Sequence, residues 1–270
     1  MHALAEQEHI DLDAIEQIAL LSVRRASVFL GLGLHAAGDD RLKDYSLSDI
    51  TQIRIMPPEL DDETVASFKR EFGRWIVTGG LRELIESFSV YLDAIHSACV
   101  KMAIRRGTMD GTHVKGVVWK FLRGGLSDKL GILESSFKVS TAHAKDLLSI
   151  NQARNCLAHR RGVVGLQDCS SGHLCEVSWI GVDIAMHKPS GEEIELGPEN
   201  LSDGIVWEKD AQLLVRRHRR QRQYNVGERI SFSAKDLEEM CNVVIWSAND
   251  IKRTTIDYAR GVGVEVRLRE

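Results

Sequence analysis

One stretch organises this chain: Asn151-Gln152-Ala153-Arg154-Asn155-Cys156-Leu157-Ala158-His159-Arg160-Arg161-Gly162. Residues 145–159 contain no proline or glycine, and Leu147, Ile150 and Leu157 form an apolar stripe at helical spacing. Gly162 suits the left-handed residue that ends a helix. The stretch therefore predicts the last turns of a helix, with helical scaffold before it and a change of pattern after it.

Three polar residues share one face of this predicted helix. Asn151, Asn155 and His159 stand at i, i+4 and i+8, so they form a polar ridge, and Arg154 lies on the border of the apolar stripe. An arginine fork fits phosphate oxygens, a histidine exchanges a proton near neutral pH, and a carboxamide can orient either. This set suits attack of an RNA 2′-hydroxyl on its own phosphate, which needs no metal.

One alternative role stays open for His159, and the catalytic hypothesis carries one requirement. A histidine in a final helical turn often serves only as a favourable charge against the helix dipole. One copy of the chain also offers a single base and a single cation, so cleavage requires two copies facing each other across a symmetric dimer.

The pattern Arg154-Asn155, three residues, then His159, followed by Arg160-Arg161-Gly162, resembles the signature of the HEPN superfamily. The resemblance implies an up-and-down helical bundle and metal-independent endoribonuclease activity in a dimer, in a family that includes toxins and antiviral effectors. It implies that Arg154 holds the phosphate, Asn155 orients and His159 is the catalytic histidine. Some members of the family bind or regulate without cutting.

Composition limits the other classes. The 270 residues are 43% hydrophobic and 27% charged, which is typical of a globular protein with a sizeable core. The net charge of −4 excludes a wholly basic nucleic-acid coat protein. We expect a cytoplasmic location because the five cysteines lack C-x-x-C spacing. We expect no membrane contact because no run of 18 apolar residues occurs. We expect no cofactor, since nucleotide-binding and zinc-protease motifs are absent.

The segments before the motif predict helices. A helix over Leu12 to Gly33 lies in an N-terminal extension, residues 1–60, in which we find no chemistry. A second helix begins at Asp61 and is interrupted at Gly79-Gly80, and a third runs from Leu81 to Arg106. The second helix is expected to turn these residues inward: Phe68, Phe72, Trp75 and Ile76.

Two shorter helices complete the predicted bundle. They cover residues 114–122 and 127–137, and the short loops between helices indicate an antiparallel arrangement with the motif helix across its middle. We therefore assign residues 61–171 to a helical bundle, and the resemblance of its motif to the HEPN signature implies that this bundle is HEPN-like.

The segments after Gly162 predict strands and then one more helix. Residues 172–232 read as an antiparallel β-meander, including a hairpin of Leu213 to Val226 with Arg229 to Phe232. Residues 233–270 predict a helix that returns to the bundle, and Val262 to Leu268 could pair with the meander. The expected class is α+β, mainly α: an antiparallel bundle with a β-meander inserted before the last long helix.

A run of arginines in the predicted meander is a second candidate site. It comprises Arg216, Arg217, Arg219, Arg220 and Arg222. An exposed basic strand would attract the RNA backbone together with Arg160 and Arg161, and Tyr224 could stack a base. The alternative is a solvated edge strand whose charges discourage aggregation.

A third constellation holds residue types that bind zinc: Cys156, His159, Cys169, His173 and Cys175. Its spacing fits no standard knuckle, so the main expectation is that no metal is bound.

These observations lead to one main hypothesis and two alternatives. The main one is a cytoplasmic, homodimeric, metal-independent endoribonuclease that acts as a toxin or defence effector. The first alternative is a non-catalytic module that binds RNA or a protein partner. The second is an accessory subunit of a defence or toxin–antitoxin complex.

Overall fold

The computed structural model describes residues 10–41, 60–110, 114–169, 172–197, 207 and 209–266. Within these ranges the chain is mainly helical with one small antiparallel sheet, which confirms the predicted α+β class. The helices are α1 (Leu12–Gly38), α2 (Asp62–Arg105), α3 (Val114–Arg123), α4 (Leu126–Phe137), α5 (Ala144–Arg160) and α6 (Ala234–Gly261). The strands are β1 (Leu174–His187), β2 (Glu193–Glu195) and β3 (Gln212–Asn225), and a 3-10 turn covers Leu166–Asp168.

The chain divides into two compact units. A helical unit comprises Met1–Ala142 and Val244–Glu270, and a sheet unit comprises His143–Val243. This division differs from the expected one, because the motif helix α5 groups with the strands and not with the helices of residues 61–142. The physical reason is that α5 packs along β1, where the Ser149 hydroxyl accepts a 2.7 Å hydrogen bond from the Ser178 backbone N–H.

In the helical unit, α1 and α2 form a closely packed hairpin. Here the expected break at Gly79-Gly80 is wrong, since α2 runs through both glycines without interruption. Gly80 is buried, and a Cβ there would lie 2.6 Å from Cδ2 of Leu30. Gly33 plays the same part on α1, where a Cβ would lie 2.6 Å from Cδ1 of Ile76. The glycines thus allow the two helices to approach each other and do not end a helix.

The apolar side chains of α2 turn into the core in the half of the helix that begins at Leu81. Leu81, Leu84 and Phe88 are fully buried. In the first half, Phe72 is 39% exposed and Trp75 is 68% exposed, so their predicted inward orientation is wrong. The cause is that the face of α2 against α1 is made by the neighbouring Ile76 and Val77 side chains and the glycines.

The last helix returns to the helical unit, as its sequence predicts. The Tyr91 hydroxyl donates to the Ala248 carbonyl at 2.8 Å, and Lys252 binds Glu16 at 2.7 Å. Residues Val244 to Gly261 of α6 therefore close the same core as α1 and α2.

The sheet has the strand order β2-β1-β3 and is antiparallel throughout. The expected meander is therefore wrong in its order, since the first strand is central. β1 pairs with β3 along all 14 residues, whereas β2 pairs only with Ala185, Met186 and His187. β1 therefore lies at the centre of the sheet, with the long β3 along one edge and the short β2 at the end of the other.

Two further strand predictions are not met in the described residues. Arg229 forms only an isolated bridge with Val163, so the second hairpin is absent there. Residues 264–266 form no strand, because α6 continues to Gly261 and Val264 then hydrogen-bonds the Ala259 carbonyl. Residues 267–270 of that prediction lie outside the described ranges, as does much of the N-terminal extension.

Helix α1 has the length and apolar composition that would suffice to cross a membrane. One of its faces is packed on α2, with Ala19, Ala26 and Leu30 nearly inaccessible. A helix of a soluble protein can meet the same criteria of length and composition, so the fold is compatible with a soluble chain.

Candidate functional site

The motif helix ends where the sequence predicts. Arg161 has a left-handed backbone (φ 53°), Gly162 follows with φ 75°, and the Gly162 N–H bonds the Cys156 carbonyl at 3.1 Å. A Cβ at Gly162 would lie 3.1 Å from Leu157, so the turn is both left-handed and crowded. The chain therefore leaves α5 sharply just after His159 and Arg160.

The predicted polar ridge lines one cleft of about 370 Å³. Asn151, Asn155 and His159 all face it, and two of the five remaining lining residues are also carboxamides. The other lining residues are Leu148, Gln152, Arg160, Gln167 and Asp168. His159 is exposed, and within the described ranges it makes no hydrogen bond or ion pair. The cleft thus presents a solvent-accessible imidazole beside several groups that both donate and accept.

Arg154 adjoins the cleft through its neighbour. Its Nη1 donates to Oδ1 of Asn155 at 2.8 Å, and its side chain is half-buried. Its Nε is buried and, in the described part of the chain, has no hydrogen-bond partner. Arg154 is therefore held by a neutral carboxamide and not by a carboxylate, while Asn155 presents its other side to the cleft.

Arg160 is held differently. Its Nε donates to Oδ2 of Asp168 at 2.7 Å, and its Nη2 donates to Oδ1 of the same carboxylate. Asp168 is 2% exposed and also accepts the Gly165 N–H at 2.9 Å. The hydrogen bond to the Asp168 carboxylate raises the pKa of Arg160. The Gln152 side chain donates to the Asp168 carbonyl. An RNA phosphate would therefore have to compete with the Asp168 carboxylate for the Arg160 guanidinium. This ion pair was not expected from the sequence.

Arg161, the other basic residue at this helix end, is exposed at the left-handed position. Its carbonyl accepts a 3.4 Å hydrogen bond from Nη1 of Arg229. No carboxylate pairs with the Arg161 side chain within the described ranges. Arg154 and Arg161 are therefore the arginines near His159 that have no carboxylate partner in that part of the chain.

The arginines of β3 have acidic partners on both faces of the sheet. Arg219 donates to Asp146 of α5 at 2.8 Å, and Arg222 binds Asp236 of α6 at 3.2 Å. Arg216 pairs with Glu193 of β2 at 2.7 Å. Arg220 binds Asp183 at 2.7 Å and Glu239 at 3.1 Å, and Arg217 is exposed on the strand. The carboxylates balance most of the charge expected to attract RNA.

Glu239 is the centre of the strongest of these networks. It is 3% exposed and accepts from Trp179 Nε1 at 2.8 Å, from the Val182 N–H at 3.2 Å and from Arg220 Nη2 at 3.1 Å. A Cβ at Gly181 would lie 2.6 Å from Nε of Arg220, so the glycine makes room for the pair. The β3 arginines thus stabilise the sheet unit.

Tyr224 is also committed to the fold. Its ring is 9% exposed and its hydroxyl donates to the Ser231 carbonyl at 2.6 Å. Stacking an RNA base on this ring, as the sequence analysis suggested, would require the ring to leave its place.

Of the cysteines near the motif, Cys156 and Cys175 are buried thiols and Cys169 is partly exposed. Burial raises the pKa of Cys156 to about 12 and that of Cys175 to about 11. Among the residues that the structure describes, no three histidine, cysteine or acidic side chains are grouped to hold a metal ion. The geometry therefore gives no support to the zinc alternative.

Comparison of the chain with protein-family models, with curated proteins and with solved structures gives no match. The candidate site therefore rests on the geometry of the cleft, on its ridge, and on Arg154 and His159, neither of which has a carboxylate partner in the described residues.

Proposed function

We propose that this chain is a metal-independent endoribonuclease whose site is formed by His159, Asn155 and Arg154. One observation carries the proposal. Arg154 lacks a carboxylate partner in the described residues, whereas nearby Arg160 forks onto Asp168. The positive charge of a half-buried arginine that no carboxylate neutralises is available to an anionic ligand. The resemblance of the Arg154 to His159 segment to the HEPN motif points to the same residues.

The proposed chemistry needs a base, an acid and a cation. His159 takes the proton from the 2′-hydroxyl, which then attacks the adjacent phosphorus. Arg154 stabilises the charge that develops on the phosphate oxygens, and Asn155 orients the phosphate or the imidazole. Cleavage of the P–O5′ bond yields a 2′,3′-cyclic phosphate and a 5′-hydroxyl.

The acid that protonates the leaving oxygen comes from a second copy of the chain in this proposal. A symmetric dimer would bring two equal sites together, so that one His159 serves as base and the other as acid. Arg161 supplies a further phosphate contact, because it is exposed beside His159. Arg216, Arg219, Arg220 and Arg222 of β3 are left out of the binding surface because their carboxylate partners neutralise them.

The test is cleavage of a mixed-sequence RNA in EDTA, with end-group analysis of the products. The full chain is expected to cut, and His159→Ala is expected to lower the rate by about 10²–10⁴-fold. His173→Ala is the matched control, since His173 is an exposed histidine that does not line the cleft. Equal rates for the wild type and His159→Ala, or products with a 3′-hydroxyl, would refute the proposal.

A non-catalytic module that binds RNA or a protein partner predicts a different result for Arg154. In that case Arg154→Ala lowers the free energy of unfolding, and no RNA cleavage is found in any variant. In the nuclease proposal, Arg154→Ala keeps the fold and loses rate. An accessory role in a defence or toxin–antitoxin complex predicts that the chain cuts RNA only when that partner is present, and co-expression tests this.

A further inference from the structure

The α1–α2 hairpin exposes a continuous apolar surface that no part of the proposed nuclease site uses. On α1, the exposed fraction is 55% for Leu21, Val28 and Phe29 and 69% for Leu32. On α2, Phe72 is 39% exposed and Trp75 is 68% exposed. We call these six residues the hairpin patch.

The four α1 members of the hairpin patch lie on one stripe. At 3.6 residues per turn, Leu21, Val28, Phe29 and Leu32 all fall within about 60° of Arg25 around the helix axis. The buried face that meets α2, with Ala19, Ala26 and Leu30, lies on the other side. Helix α1 is therefore apolar on two sides, and only one of them is covered within the described residues.

The two α2 members lie beside that stripe. Arg25 pairs with Glu83 at 3.2 Å across the hairpin, which marks the side of α2 next to the stripe. Phe72 stands 11 residues before Glu83, about three turns, so it projects from the same side of α2. Trp75 stacks on Phe72 with ring centroids 6.3 Å apart. The aromatic pair thus continues the stripe across both helices.

The size of this surface lies at the upper end of what a monomer usually exposes to water. Six large side chains at these exposures present on the order of 600 Å² of apolar area, given roughly 150–250 Å² for each fully buried aromatic. A standard protein interface covers about 800 Å² on each partner, much of it apolar at the centre. The hairpin patch is therefore sufficient for the centre of one such interface.

The charges around the hairpin patch favour a second copy of the same chain. Arg25, at the centre of the α1 stripe, pairs with Glu83 at 3.2 Å, so these two charges offset each other. Next to Phe72 and Trp75, Arg74 pairs with Glu71. In a two-fold interface the same patch meets itself, so an excess of one sign would repel, whereas a neutral patch does not. A membrane surface would instead favour an excess of basic residues, which α1 lacks.

We infer that the hairpin patch is a homodimer interface, in which the α1–α2 hairpins of two copies pack against each other as a four-helix arrangement. Leu32, Phe29 and Trp75 form its centre. This inference does not rest on the nuclease proposal, because none of its residues lines the cleft.

The experiment measures the mass of the full chain by sedimentation and light scattering over a wide concentration range. The wild type is expected to dimerise, and Leu32→Asp and Trp75→Asp are each expected to raise the dimer Kd by about tenfold or more. Trp119→Asp is the matched control, since Trp119 is a 61% exposed tryptophan of α3 outside the patch. Circular dichroism checks that each variant is folded, and Leu32→Ser replaces Leu32→Asp if the latter is not.

Several outcomes would overturn the inference. A wild type that stays monomeric rules it out, and so does a dimer that folded Leu32→Ser and Trp75→Asp leave intact. A monomer that co-sediments with phosphatidylcholine–phosphatidylglycerol vesicles, and loses this with Trp75→Asp, assigns the hairpin patch to a membrane surface. RNA cleavage is measured on the same samples, so a failed dimer and a failed nuclease are told apart.

Discussion

The guanidinium of Arg160 and the carboxylate of Asp168 are joined at two points, with Nε 2.7 Å from Oδ2. The pair links the last turn of α5 to the 3-10 turn that follows it, and the same carboxylate accepts the Gly165 N–H. The wall of the cleft is therefore held in place by an ion pair that is largely removed from water.

Removing Arg160 should destabilise the fold more than removing its neighbour. Arg160→Ala leaves the carboxylate of Asp168 buried without its cation, and we expect the free energy of unfolding to fall by about 3–5 kcal/mol. Arg161→Ala, at an exposed position, should change it by less than about 0.5 kcal/mol. Urea denaturation measures both, and equal effects would show that the ion pair contributes little.

The adjacent glycines of α2 should respond to alanine in opposite ways. In Gly80→Ala the new methyl group meets Leu30 at 2.6 Å, so α1 must move and we expect a loss of about 1–3 kcal/mol. In Gly79→Ala nothing lies within 4 Å, and the helix should gain up to about 1 kcal/mol. Thermal unfolding compares them. If Gly80→Ala is as stable as Gly79→Ala, the close approach of the helices is not a constraint.

A side chain at Gly181 should also destabilise the fold. In Gly181→Ala the new methyl group would lie 2.6 Å from Nε of Arg220, which should pull Arg220 away from buried Glu239. We expect a loss of about 2–4 kcal/mol, because the carboxylate stays buried with one partner fewer. Gly131→Ala, in open space on α4, is the control and should not destabilise. Retention of the Arg220–Glu239 pair in a crystal of Gly181→Ala would contradict this.

His96 should make the fold sensitive to acid. It is 1% exposed, its ring stacks on Phe121 at 3.8 Å, and burial, with Lys129 nearby, lowers its pKa to about 4. An unfolded histidine has a pKa of about 6.5, so between pH 6.5 and 4 the unfolded chain binds a proton that the folded chain excludes. Stability should therefore fall as the pH decreases through this window.

The matching measurement is the melting temperature of the wild type and of His96→Leu from pH 7 to pH 4. Lys129 and Asp93, which pair at 2.6 Å, face the same region and are unchanged in the variant, so they serve as an internal control. If the two proteins lose stability in parallel, the acid sensitivity belongs to other groups.

Helical and strand segments of the fold were predictable from local patterns, and long-range packing was not. The ridge of Asn151, Asn155 and His159 follows from helical spacing alone, and the structure places all three on one cleft. The sequence predicts a break at Gly79-Gly80 because glycine often ends a helix. Its role depends on Leu30, which lies 50 residues away in the sequence and comes close only in the folded hairpin.

The charge of the β3 arginines shows the same limit. Along the strand they form a basic run that contains no acidic residue. Their partners Asp146, Asp236 and Glu239 come from α5 and α6, and a linear pattern does not reveal which acids a folded sheet brings within 4 Å. The partner of Arg160 was closer in the sequence, only eight residues on, but it is placed by the turn after Gly162.

Helix α6 determines when the helical unit can be completed during translation. The helical unit consists of two separated pieces of chain, and the whole sheet unit is encoded between them. A ribosome therefore synthesises α1 to α4 well before Val244 to Gly261, the segment that supplies Lys252 to Glu16 and the Ala248 carbonyl to Tyr91. Until that segment emerges, the early helices hold an incomplete core, so this nascent chain is expected to depend on chaperones through most of its translation.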